Sequence, residues 1–150
     1  MQSDTAACWV SRVQRDLKTS GLRPTRQRLL LASLLFRGVD RHVTAEQLHL
    51  EAEAIGVAVS LATVYNTLHQ FTAAGLVRAL AVEGSKAYFD TNVSDHHHFF
   101  IEGEDRILDI PQRLVVEGVP APPDGMEIAH VDVVVRLRPK GAAESPGLEA

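Results

Sequence analysis

Apolar positions recur every three to four residues through the first half of the chain and nearly every second residue in much of the rest, so helices should precede strands. Val10, Val13 and Leu17 lie one helical turn apart, and Gly21 stands where a left-handed residue would end that helix. After Pro24, Thr25 can cap a second helix carrying Leu29, Leu30, Leu31, Leu34 and Leu35. Thr44 and Gln47 have capping-box spacing, which opens a third helix reaching to about Ile55-Gly56. Ser60 caps a fourth, with Leu61, Val64, Leu68 and Phe71 along its apolar face and Gly75 at its end. Its other face carries Ala62, Thr63, Asn66 and Gln70, with Tyr65 at the edge. Leu76 to Val82 and Lys86 to Asp90 alternate as strands around the turn Glu83-Gly84-Ser85, and helices followed by such a hairpin predict a winged helix-turn-helix.

Beyond Asp90 the strand period takes over. His96 to Glu102 and Arg106 to Ile110 form a second hairpin around Gly103-Glu104-Asp105. Pro111 can open a short helix through Glu117, the prolines from 119 to 125 mark a loop, and Glu127 to Arg138 reads as a last strand. The predicted fold class is α+β: an N-terminal winged helix-turn-helix over residues 1–90, a small α/β domain over 91–140, and a flexible tail over 141–150.

The 45% apolar content supports a core, built mainly from Leu, Val, Ala and Ile because aromatics are few. No apolar run approaches the roughly 18 residues of a membrane span, and the N-terminus lacks a signal-peptide pattern, so a cytoplasmic location without membrane partners is expected. The single cysteine, Cys8, excludes an intramolecular disulfide and any Cys-x-x-Cys zinc clip. Net charge is −4, but residues 1–90 hold ten Lys/Arg against eight Asp/Glu, whereas residues 91–150 hold five against eleven. Arg12, Arg15, Lys18, Arg23, Arg26 and Arg28 face only Asp16, a patch suited to phosphate contacts or to a solvated helix face.

The densest chemistry is Asp95-His96-His97-His98, inside a run that continues Phe99-Phe100-Ile101. On a strand His96 and His98 share one face, and Asp95 and His97 the other. With His42, Asp90 and Asp109, the pair His96 and His98 makes a mixed nitrogen and oxygen donor set suited to iron, manganese, cobalt or zinc. His49 and His69, standing alone, read as structural. On the fourth helix, Ser60, Ala62, Thr63, Tyr65 and Asn66 are of the size and polarity that read base edges in a major groove, and Arg23 could reach a phosphate or the minor groove.

Several of these stretches together, namely Gly21-Leu-Arg-Pro-Thr-Arg-Gln-Arg28, His42-Val-Thr-Ala-Glu46, Ser60-Leu-Ala-Thr-Val-Tyr-Asn-Thr-Leu68, Ala74-Gly-Leu-Val77, Tyr88-Phe-Asp90 and Asp95-His-His-His98, resemble the ferric uptake regulator superfamily over roughly residues 15–138. Within it the chain looks most like the iron response regulator branch, through Tyr88-Phe-Asp-Thr-Asn-Val93, the triple histidine, Leu108-Asp-Ile110 and Val133-Val-Val-Arg-Leu-Arg138. The resemblance implies a winged helix joined to an α/β dimerisation domain, a homodimer on double-stranded palindromic AT-rich DNA, and a hinge metal site of His42, Asp90, His96, His98 and Asp109. Tyr65 matches the family's DNA-reading aromatic, and Arg23 a basic residue near DNA. Haem is implied as a further effector at His96, His97 and His98, and Asp95, His97 and His130 as a second metal or haem set. The four-cysteine structural zinc of many members is not expected, since Ile101 and Glu104 stand where its first cysteine pair would lie and the second pair is missing. Trp9 follows Cys8 where some branch members have a haem-linked proline, so Cys8 reads as a free thiol.

The resulting expectation is a metal- and haem-responsive regulator of iron homeostasis, not an enzyme. A peroxide-sensing iron- or manganese-dependent repressor would use the same ligands. A metal or haem buffer would bind ligand without specific DNA binding. A metal-dependent hydrolase is disfavoured because no separate base, nucleophile or substrate pocket can be named.

Overall fold

The computed structural model describes residues 3–83 and 86–141, with side chains described from Val10 onward and not at Glu83. It divides into two compact units, Met1–Val93 and Ser94–Ala150. The architecture is α+β, as the hydrophobic periods predict. No helix among the described residues is long and apolar enough to cross a membrane.

The first unit carries α1 (Ser3–Thr19), α2 (Arg26–Leu35), β1 (His42–Val43), α3 (Ala45–Ala54), α4 (Leu61–Ala73), β2 (Arg78–Glu83) and β3 (Lys86–Asp90). Its helices begin where the caps predict. Thr25 accepts from the Arg28 amide, Ser60 accepts from the Thr63 amide, and Thr44 and Gln47 close a reciprocal capping box. The predicted glycine stops hold as well. Gly75 sits at φ 76°, and the Gly75 and Leu76 amides return to the Thr72 and Phe71 carbonyls. That pairing satisfies the last carbonyls of α4 and needs the left-handed residue that glycine adopts without steric cost.

One cluster of Val13, Leu17, Leu31, Leu35, Val43, Leu48, Val64, Leu68, Phe71 and Phe89 joins all four helices to the antiparallel sheet, whose order is β1-β3-β2. Two residues depart from the predicted apolar faces. Val10 and Leu61 are exposed, each one turn beyond the point where its helix meets a neighbour. β1 was not predicted, since two residues carry no period. It forms because His42 and Val43 pair with Asp90 and Phe89 of β3. The β2–β3 hairpin forms as expected, although its turn residues Gly84 and Ser85 lie outside the described residues.

The second unit holds β4 (His97–Ile101), β5 (Arg106–Ile110) and β6 (Val134–Leu137), in the order β5-β4-β6. β4 and β5 form the expected antiparallel hairpin, turned through Gly103 at φ 84° and Asp105 at φ 48°. β6 runs parallel to β4, from His98↔Val134 to Ile101↔Leu137. Parallel neighbours require a long crossover, here residues 102–133 with β5 included.

Two expectations are corrected in this unit. The helix from Pro111 to Glu117 does not form, and the chain is irregular from 111 to 133. The β-branched pair Val115-Val116 disfavours helix, seven residues are too few to hold one without packing, and Val115 is 78% exposed. The strand expected over Glu127–Arg138 shrinks to Val134–Leu137, because a strand extends only where a partner offers hydrogen bonds and β4 supplies five residues. Phe100 of β4, buried and paired in register with Arg136 of β6, carries the Arg136 guanidinium 5.4 Å from its ring centroid. Of the expected flexible tail, residues 142–150 lie outside the described residues, as does the Cys8 side chain.

Candidate metal centre and DNA-reading face

The first unit offers one pair of metal donors. His42 and Asp90 are direct cross-strand partners on β1 and β3, so their side chains share a face, and His42 Nε2 lies 3.0 Å from Asp90 Oδ2. Asp90 is buried, and its Oδ1 accepts the Asn92 amide at 2.9 Å. A buried carboxylate is costly unless hydrogen-bonded and charge-compensated, which makes this position specific to its partners. The adjoining residues hold the pair in register. The Thr91 amide donates to the Arg41 carbonyl at 3.0 Å, and Thr91 Oγ1 accepts the Arg41 amide at 2.9 Å. The Arg41 guanidinium forks onto the Glu51 carboxylate of α3 and reaches the Leu34 carbonyl of α2. Arg41 therefore anchors β1 to two helices, a role its sequence neighbourhood did not reveal.

The second unit offers three donors. His98 of β4 is the cross-strand partner of Asp109 of β5, and both project to one face. His96, just before β4, joins them by the strand alternation. Its Nε2 lies 3.1 Å from Asp109 Oδ1, the His98 Nε2 lies 3.4 Å from the same oxygen, and the two ring centroids are 4.4 Å apart. The His96 Nδ1 lies 2.6 Å from the Ser94 carbonyl oxygen, which can only accept, so Nδ1 carries the proton. When the ring is neutral, its Nε2 lone pair faces a carboxylate oxygen. Two acceptors at that distance repel unless a cation, whether proton or metal, lies between them, and this is the arrangement a divalent ion resolves. The donors are imidazole nitrogen and carboxylate oxygen with no thiolate, a set that suits borderline ions.

The remaining histidines sort differently. His97 faces away from His98, and its Nδ1 accepts the Val133 amide at 3.1 Å. Asp95 is exposed ahead of β4, and His130 Nε2 lies 3.1 Å from Asp132 Oδ2 in the irregular segment. His49 Nε2 bonds the Val59 carbonyl at 2.9 Å, the structural role expected of it. His69 stacks on Tyr65 and meets Phe89 edge-on.

On α4, Ala62 and Asn66 are exposed, while Thr63 and Tyr65 are half-buried at the edge of the same face. The Ser60 and Thr63 hydroxyls lie 2.9 Å apart within the cap. Tyr65 Oη donates to Glu46 Oε1 of α3 at 2.7 Å. That hydrogen bond, with the Glu46 backbone amide, lowers the Glu46 carboxyl below the ordinary glutamate range, and the same bond raises the Tyr65 phenol. A lowered carboxyl contributes above its unfolded range and loses that contribution as pH falls through the folded value, so the pair is intact at neutral pH and released in acid.

Arg23 is exposed, but Arg28 is not the free cation that its place in the basic patch implies. Its Nε and Nη2 both donate to Gln70 Oε1 of α4, at 3.1 and 3.0 Å, and its Nη1 donates to the Arg23 carbonyl at 2.9 Å. The fork couples the Arg23 backbone to α4. Arg28→Lys keeps the charge but cannot make this fork. Thermal denaturation should show a loss of about 1 kcal/mol for Arg28→Lys and Arg28→Ala alike. A lysine variant as stable as the parent would show the fork to be idle.

The sequence model of the ferric uptake regulator family matches residues 19–135. The ferric uptake regulation protein of Vibrio anguillarum is 33% identical over 109 residues, covering 67% of this chain and 73% of that protein. Its counterpart in Escherichia coli K12 is 38% identical over 85 residues, and the match spans 57% of each, little more than half the relative's length. Among solved structures, the ferric uptake regulator of Pseudomonas aeruginosa with manganese superposes with a TM-score of 0.65 at 25% identity, covering 85% of this chain and 98% of that one. The Vibrio cholerae ferric uptake regulator superposes with a TM-score of 0.67 at 22% identity, covering 83% and 98%, which speaks to the fold alone.

Proposed function

The chain belongs to the ferric uptake regulator family of metal-responsive transcriptional regulators, and from that premise we propose that it binds palindromic AT-rich operators as a homodimer under the control of a divalent metal and of haem, in the manner of the iron response branch. The observation that carries the metal half is the direction of the His96 and His98 Nε2 atoms at one oxygen of Asp109. The family resemblance adds His42 and Asp90 as the remaining ligands of a donor set for iron, manganese or zinc. A bound divalent ion would supply charge compensation for the carboxylates that hold it. The chain's own residues do the rest. Arg41 and Thr91 hold the β1–β3 register, and the β4–β5 register holds His98 opposite Asp109.

On DNA, the cap residue Ser60 with Ala62, Thr63, Tyr65 and Asn66 of α4 read the major groove and Arg23 contacts the backbone or minor groove, and the two copies of a symmetric dimer match the halves of a palindrome. Placement in the iron response branch is supported by Tyr88-Phe-Asp-Thr-Asn-Val93, the triple histidine and Val133-Val-Val-Arg-Leu-Arg138. With one cysteine the chain cannot build a four-cysteine zinc site. Haem uses His96, His97 and His98. Because His96 and His98 belong to both ligand sets, occupancy by haem and by metal exclude one another, and a ligand shifts the DNA-binding state only by its preference for that state. Asp95, His97 and His130 form the candidate second set.

The test is an anisotropy titration of full-length apo, Mn(II)-loaded and haem-loaded protein against a palindromic AT-rich duplex and a scrambled control at one salt concentration. Specific binding that needs Mn(II) and is lost with haem is expected. Specific binding indifferent to haem removes the haem arm and leaves a plain metalloregulator or peroxide sensor, which a one-oxygen mass gain on His42 or His96 after peroxide would identify. No specific binding in any form points to a buffer.

A further inference from the structure

Glu46 has no part in the donor sets or in the base-reading face, yet it holds the Tyr65 phenol of α4, a hydroxyl that could serve either the bases or the phosphates. We propose that Glu46 is a positioning residue that makes Tyr65 read thymine methyl groups and withholds it from the DNA backbone. The proposal rests on the reading of α4 as the DNA-recognition helix.

Three observations carry it. Tyr65 Oη donates to Glu46 Oε1 at 2.7 Å, and a phenol has a single proton to donate, so it is committed within the protein. Glu46 lies in the first turn of α3, two residues after the Thr44 cap and between buried Ala45 and Leu48, where the helix terminus is fixed and favours an anionic side chain. On the ring side, His69 one turn along α4 stacks on Tyr65 at 6.3 Å and 22°, and is itself met edge-on by buried Phe89 at 5.9 Å. The ring is therefore held at its hydroxyl by α3 and at one face by a stack seated on β3.

A ring so held presents carbon and hydrogen to a groove, and the base feature that matches is the thymine methyl, the apolar group displayed in the major groove. The Glu46 carboxylate beside it repels phosphate oxygens. Its charge lowers affinity for any duplex, and its acceptor oxygen keeps the ring in the geometry that distinguishes one base from another.

The test starts with a duplex selected by the full-length, Mn(II)-loaded wild-type protein from a randomised pool. Affinity is then compared, at one salt concentration, for that duplex, the same duplex with uracil in place of thymine, and a scrambled one. The wild type should lose about four-fold per contacted methyl when uracil replaces thymine. Glu46→Ala should lose that preference and bind the scrambled duplex more tightly. Glu46→Gln, which keeps the acceptor oxygen and removes the charge, should restore the preference while retaining the tighter scrambled binding. A lower fold stability alone would leave the thymine-to-uracil ratio unchanged. Glu46→Ala with the wild-type ratio overturns the proposal, and so does Glu46→Gln with no better ratio than alanine. If the wild type enriches no duplex, the reading of α4 falls first and takes this inference with it.

Discussion

Asp109→Asn is expected to weaken Mn(II) binding by at least about ten-fold and to weaken metal-dependent operator binding with it, and the double variant His96→Ala, His98→Ala to weaken it by about a hundred-fold or more. The reason is the convergence of both Nε2 atoms on one Asp109 oxygen. Asparagine preserves shape while removing the charge that balances a cation, and Asp109 is 40% exposed, so the substitution does not empty a core position. The histidine pair is less clean, because His98 is buried and alanine leaves a void there. Competition against a fluorescent chelator measures affinity, and circular dichroism of each apo variant separates ligand loss from unfolding. If the Asp109→Asn protein binds Mn(II) as tightly as the parent, Asp109 is removed from the site, and unchanged operator binding by the double variant would break the link between this cluster and DNA.

The second large effect is on the seat of α4. Phe71 is fully buried, ends the apolar face of that helix, lies 6.3 Å from Phe36 by ring centroids, and gives its carbonyl to the Leu76 amide at the helix stop. Phe71→Ala should cost about 3–5 kcal/mol, a large share of the roughly 5–15 kcal/mol that holds a typical domain. Urea denaturation monitored by far-ultraviolet circular dichroism should place the variant's midpoint far below the parent's, and operator affinity should fall because α4 is no longer held in one position. A loss under about 1 kcal/mol would mean that neighbouring side chains collapse into the space. Leu61→Ala, at the exposed start of the same helix, should by contrast be nearly silent.

The helices were legible because their signals are local. A cap hydroxyl, a glycine stop and an apolar period each act within a few residues, so Thr25, Thr44 and Ser60 and the stops at Gly21 and Gly75 mark the ends observed. Residues 111–117 and 127–133 depart from expectation for the same reason, while the proline loop between them is irregular as its sequence predicts. Pro111 is a permitted helix start, but whether a helix survives depends on what its apolar side can cover, and Val115 and Met126 remain 78% and 69% exposed. The parallel β4–β6 pairing and the two-residue β1 are long-range events with no periodic trace.

The donor set divides along the same line. Residue chemistry and strand alternation single out His96 and His98 as one face and exclude thiolate chemistry, because side-chain direction on a strand follows from sequence position. Pairing decides the partners: His42 opposite Asp90, and His98 opposite Asp109. Arg28 reads in sequence as one cation of a basic patch, and Arg41 and Glu46 carry no signal of a role, so the work of all three was visible only once α2, α3 and α4 had packed. By itself the sequence determined which side chains exist, which helices begin and end where, and which histidines share a face, since these depend on neighbours a few bonds away. Only tertiary structure decided which oxygen each nitrogen meets and which charges are committed internally, since such contacts join separate elements, as Arg28 does in reaching Gln70 across 42 positions of the chain.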